Sequence, residues 1–164
     1  MLKLDCSQWR PGALLLAILM VLGPMSGALA ETEPALTVVD GEERYTLNLN
    51  EIESLGLHEV TMRHPEGPEG TFTGVWLNAV LKKQELAEAR RVRFIAEDGY
   101  TTFLSPEDRR EKAYLLVTRL DGEPVKQEDL GPFMLIVPED AEAALDGAVS
   151  ITHWIWALRK IQVK

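Results

Sequence analysis

Apolar and polar positions change period several times along the chain, and each change predicts an element. LTVVD and ERYTLNL, on either side of Asp40-Gly41, alternate as strands around a dipeptide suited to a tight hairpin. Asn50 then precedes Glu51-Ile52-Glu53-Ser54-Leu55-Gly56, which predicts an N-cap, an acid at the third helical position and a glycine stop. LHEVTMR returns to a strand pattern. Beyond the Pro-Glu-Gly turns of residues 65–70, Trp76, Leu77, Val80 and Leu81 recur at helical spacing, with Asn78, Lys82 and Lys83 between or after them. RVRFIAED and YTTFL predict two strands joined at Asp98-Gly99, and Ser105-Pro106-Glu107-Asp108 predicts a capped helix start. AYLLVTRL, closed by Asp121-Gly122, is a near-continuous apolar strand; FMLIVP follows Gly131-Pro132, and RKIQVK ends the chain as a last strand. Short helices inserted irregularly among many strands give an α+β class, a single mixed, β-rich domain.

The first 30 residues follow different rules. Lys3 and Arg10 precede the apolar run at 13–22, and Gly23-Pro24 and Ala28-Leu29-Ala30 follow it, the pattern of a secretory signal peptide cut between Ala30 and Glu31. The run is shorter than the roughly 20 residues a spanning helix needs, so no stable membrane span is expected after cleavage. The mature domain is then 31–164, and an exported, periplasmic location follows.

Cleavage changes the chemistry available. Cys6 is the one cysteine of the chain and leaves with the signal, so the mature protein has no thiolate to serve as nucleophile or metal ligand. Removing Lys3, Arg10 and Asp5 from 17 basic and 26 acidic side chains leaves 15 against 25, a net charge of −10. That balance argues against nucleic acid as a partner.

Few constellations remain. The Asp-Gly pairs at 40, 98, 121 and 146 read as turns, since none sits in a calcium-loop frame. His58, His64 and His153 lack the tight local pair of a zinc site. His64 stands beside Arg63 in a loop where an anion could meet both, an ordinary solvated turn being the alternative. Trp154 and Trp156, read as strand residues, present both indoles on one face, as a stacking platform for a planar ligand or as core. Arg90-Arg91 and Arg109-Arg110 could bind anions or pair with nearby carboxylates.

Several segments, in order, resemble the molybdopterin-binding domain of the sulfite oxidase type. TFTGVWLNAVL is similar to that family's Gly-Val-x-Leu segment, and VRFIAEDGYTTFLSPED to its strand, Asp-Gly-Tyr turn and short helix. LLVTRLDGEPVKQEDLGPFMLIVPED resembles its Asp-Gly-x-Pro stretch and Gly-Pro turn, and HWIWALRKIQV its closing strand, so the likeness spans residues 71–163. The resemblance implies a pterin pocket built from loops and molybdopterin as the cofactor. Two departures bear on that. The family's molybdenum-ligating cysteine belongs in the region that reads TMRHPEGPEG here, and Met134 stands where the enzymes commonly carry arginine. The first argues against bound molybdenum. The resulting expectation is a non-catalytic ligand-binding or sensory module whose pocket gathers Arg63, His64, Tyr100, His153 and Trp156 around a small anionic or planar ligand. The alternatives are a molybdopterin-dependent oxidoreductase that holds its cofactor without a cysteine, and an interaction module for a membrane-bound sensor or redox partner.

Overall fold

A computed structural model describes residues 34–163; the expected signal segment and its Ala30/Glu31 junction lie outside the described residues. The first hairpin forms as its alternation requires: β1 (Ala35–Asp40) pairs antiparallel with β2 (Glu43–Asn48) across Asp40-Gly41. Helix α1 (Leu49–Glu53) starts two residues before the position predicted from Asn50. Asn48 is the cap: its side chain accepts from the Glu51 N–H at 2.9 Å while the Glu51 carboxylate accepts from the Asn48 N–H at 2.8 Å. Both frames read Asn-x-x-Glu, and the burial of Leu49 and Ile52 on one face selects the earlier one.

Strands β3 (His58–Arg63) and β4 (Glu69–Trp76) form the hairpin that carries the Pro-Glu-Gly turns, and α2 (Leu77–Lys83) follows directly. β5 (Val92–Ala96) and β6 (Thr101–Leu104) flank Asp98-Gly99, and α3 (Pro106–Glu111) begins at Ser105 with the predicted capping box. β7 (Leu115–Leu120) is buried along its first four residues, in keeping with its apolar run. Short β8 (Glu123–Pro124) and β9 (Met134–Ile136) both pair with β7. A helix that periodicity did not predict, α4 (Ala141–Leu145), precedes the last loop, and β10 (Leu158–Val163) closes the chain.

These strands make two five-stranded sheets. One has the order β2-β1-β10-β5-β6, with β1 and β10 parallel; the other runs β3-β4-β7-β8, with β9 also on β7. The class is therefore α+β and strand-rich, as the pattern predicted. One apolar cluster joins the sheets, with Leu36, Phe94 and Ile161 from the first and Phe72, Leu115 and Met134 from the second fully buried. At Thr73/Gly74 the β4–β7 register shifts, and a Cβ on Gly74 would collide with the Leu116 carbonyl and lie 2.8 Å from Val117 Cα. Only glycine admits that backbone approach.

The segment 151–157 is not the strand that its alternating tryptophans predicted. Ile155 makes a single bridge to Leu135, and Ala157 takes a left-handed φ of 48°, which turns the chain sharply before β10. Among the described residues no helix is long and apolar enough to cross a membrane.

Candidate functional site

The period of two along β3 decides the fate of the Arg63-His64 pair. Val60 and Met62 turn inward, whereas Glu59, Thr61 and Arg63 are exposed, and His64 continues the inward series. Arg63 therefore faces solvent opposite Glu69 in the register, and His64 is 1% exposed. The expectation that one anion meets both side chains is corrected: they point to opposite faces of the hairpin.

His64 is packed between the two tryptophans, its ring centroid 5.4 Å from the Trp154 indole and 5.6 Å from that of Trp156, the latter edge to face. Nδ1 accepts the Glu66 N–H at 3.1 Å, so the neutral ring carries its proton on Nε2. Nε2 is buried and finds no hydrogen-bond partner among the described residues. Desolvation lowers the His64 pKa from 6.5 to about 4. At neutral pH this is an uncharged aromatic plug, not an anion receptor.

The same two tryptophans also border open space. A cavity of about 280 Å³ lies between the β5–β6 turn and the 150–156 loop. Trp154, 2% exposed, and half-buried Trp156 wall it together with the phenol of Tyr100, which is 48% exposed; Ala96 and Ile151 add apolar surface. Asp98, Ser150 and Thr152 supply the polar groups. Two of the expected pocket residues, Tyr100 and Trp156, thus come together here. Arg63, His64 and His153 do not line it.

The polar wall is internally bonded. Asp98 Oδ1 accepts the Tyr100 N–H at 2.8 Å in an Asx turn. The Thr152 carbonyl accepts from Tyr100 Oη at 3.3 Å and from Thr102 Oγ1 at 2.8 Å, which ties the loop to β6. Ser150 Oγ donates to Thr152 Oγ1 at 3.2 Å. The Ala157 carbonyl accepts the Glu97 N–H at 2.8 Å, and the Ala157 N–H donates to the Leu130 carbonyl at 2.8 Å, fixing the corner after Trp156. Both walls are thereby anchored to sheet elements.

His153 belongs to another cluster. Its Nδ1 lies 3.3 Å from Tyr114 Oη, and the Asp108 carboxylate is close enough to feel its charge. Burial, with Asp108, Asp140 and Glu111 nearby, pushes the Tyr114 hydroxyl up to about 12, so it stays protonated. The Ser105 N–H, donating at 2.7 Å, holds Asp108 below its usual range, and that carboxylate is engaged as a helix cap. The Arg109-Arg110 pair is structural too. Arg109, 6% exposed, donates to the Ser105 and Ala87 carbonyls at 3.3 and 3.1 Å and also to the Ala89 carbonyl, while Arg110 pairs with Glu107 at 2.7 Å.

Molybdopterin can be tested against these side chains. Among the described residues no basic side chain lines the cavity to receive a pterin phosphate, and the TMRHPEGPEG segment presents a buried imidazole instead of a thiolate. Among the described residues no three His, Cys, Asp or Glu side chains are grouped as a metal site. The residues present do not fit the cofactor that the resemblance implies.

Sequence reasoning missed Asp98, Ser150 and Thr152 as wall residues. Asp98-Gly99 reads as a turn, which it is, and only the packing of a loop some 50 residues later turns its carboxylate into a pocket wall. A comparison with known protein families finds no family that matches this chain, and a search of curated proteins finds no match either.

Proposed function

We propose that the chain is a non-catalytic ligand-binding or sensory module, exported to the periplasm, whose ligand occupies the cavity between the β5–β6 turn and the Trp154–Trp156 loop. The observation that carries this reading is the wall itself. Three aromatic residues and a carboxylate border about 280 Å³ of open space, and the loop that carries the indoles is tied by its backbone to Thr102 of β6 and Leu135 of β9. Rigid aromatic surface with few polar groups orients and desolvates a small molecule at little conformational cost. The scaffold resembles a molybdopterin-binding domain in its motifs, but the wall offers that cofactor neither thiolate nor basic donors.

A thermal-shift screen over small organic cations, sugars, planar heterocycles and carboxylates tests the proposal, run on the natively exported protein and on its Trp156→Ala variant. At least one class is expected to raise the Tm of the parent and to lose most of that effect in the variant. A screen in which no class does so refutes ligand binding at this wall. Stoichiometric molybdenum and pterin in the exported protein would refute the non-catalytic reading.

A further inference from the structure

We infer that the ligand is a small methylated ammonium ion, seated against Trp154, Trp156 and Tyr100 with Asp98 as its counter-charge; this rests on the binding reading above. Four features select that class. Among the described residues the only formally charged side chain lining the cavity is a carboxylate, which repels anions and favours cations, and it stands on a chain of net charge −9. Two indoles and a phenol offer the electron-rich faces on which a cation is held.

The third feature separates cations from sugars. A sugar surrenders several hydroxyl–water bonds on entry and needs as many partners in return. Here the Ser150 hydroxyl donates to Thr152 Oγ1 and the Tyr100 hydroxyl donates to the Thr152 carbonyl. Most of the wall's polar groups are already committed to one another.

The fourth separates methylated from primary ammonium. A primary ammonium has three N–H donors to satisfy, whereas Asp98 brings one carboxylate with one oxygen engaged by the Tyr100 N–H. Among the described residues its other oxygen has no protein donor. A methylated ammonium has few or no N–H groups and needs only charge and aromatic surface.

The test titrates the natively exported protein with choline, its neutral isostere 3,3-dimethyl-1-butanol, glucose and acetate, followed by tryptophan fluorescence and calorimetry. Choline is expected to bind saturably, and the isostere at least about tenfold more weakly. Asp98→Asn keeps the Oδ1 acceptor that caps the turn and removes only the charge, so circular dichroism should be unchanged while choline affinity falls by about tenfold or more. Equal binding of the neutral isostere, tighter binding of glucose or acetate, or an unchanged affinity in Asp98→Asn overturns the cation assignment and leaves a ligand-binding wall intact. Failure of all four probes overturns the assignment; failure of the broader thermal-shift screen as well removes the binding reading beneath it.

Discussion

His64 gives the fold an acid-sensitive element whose size can be worked out. In the folded protein its pKa lies at about 4, against 6.5 for a free imidazole, because burial strips the charged ring of its hydration. Protonation would also place a hydrogen on Nδ1, the atom that now accepts the Glu66 N–H. The unfolded chain takes up a proton near pH 6.5 and the folded chain resists until about pH 4. Stability from the neutral plug is therefore complete above pH 6.5, erodes as pH falls through that window, and is exhausted below about pH 4. The gap corresponds to about 3 kcal/mol, a substantial part of the 5–15 kcal/mol that typically holds a domain together.

Urea denaturation of the parent and of His64→Phe, repeated at intervals from pH 7.5 to pH 4, isolates this contribution. At pH 7.5 the variant is expected to be less stable by about 1 kcal/mol, the usual worth of the lost Glu66 hydrogen bond. The difference between the two proteins should then shrink and reverse as pH falls, changing by about 3 kcal/mol in total. Carboxylates common to both proteins cancel in that difference, and Asp108, held below its ordinary range by the Ser105 N–H, releases its contribution mainly below the window. Two parallel stability curves would refute the reasoning, because they would mean that His64 titrates alike in both states.

Three further outcomes follow from contacts away from the cavity. Arg109→Ala strips donors from the Ser105, Ala87 and Ala89 carbonyls and should lower unfolding free energy by about 2–4 kcal/mol, with Arg109→Lys restoring part of it, as measured by urea midpoints. Glu53 receives Arg119 Nε at 2.7 Å and Nη2 at 3.0 Å and the Thr118 hydroxyl at 3.0 Å, clamping α1 to β7; Glu53→Gln should cost about 1–2 kcal/mol and show as earlier hydrogen exchange in α1. Gly74→Ala forces a methyl into the Leu116 carbonyl and should cost about 3 kcal/mol or more, whereas Gly41→Ala, with open space around it but a φ of 58°, should cost about 1 kcal/mol in the same assay.

The strands and the caps were legible because each rests on a local rule. Alternation in β5 buries Val92, Phe94 and Ala96 and sets its register, and Ser105-Pro106 fixes the start of α3 by its own hydrogen bonds. α1 was displaced by two residues because Asn48 and Asn50 offer the same capping frame, and only tertiary burial of Leu49 separates them. The site was less legible. Arg63 and His64 are adjacent in sequence, but the strand that precedes them continues far enough to send them to opposite faces. Trp154 and Trp156 alternate in sequence as a pair, and both line the cavity, but from a loop that turns at Ala157 and not from a strand.

That loop makes the plug and the cavity two sides of one structure. Trp154 and Trp156 pack against His64 and also line the cavity, so a shift of the indoles bears on both places. A ligand that binds the indoles only in their present positions stabilises the packing that keeps His64 neutral, and where protonation of that ring displaces the indoles, linkage makes the bound ligand resist it. Saturating ligand should therefore move the acid limb of the stability curve to lower pH in the parent, beyond the uniform gain that mass action gives at every pH. In His64→Phe only the uniform gain should remain. An equal displacement in both proteins would show that the indoles are held independently of the plug behind them, and that the PEGPEG hairpin turn does not sense what the cavity holds.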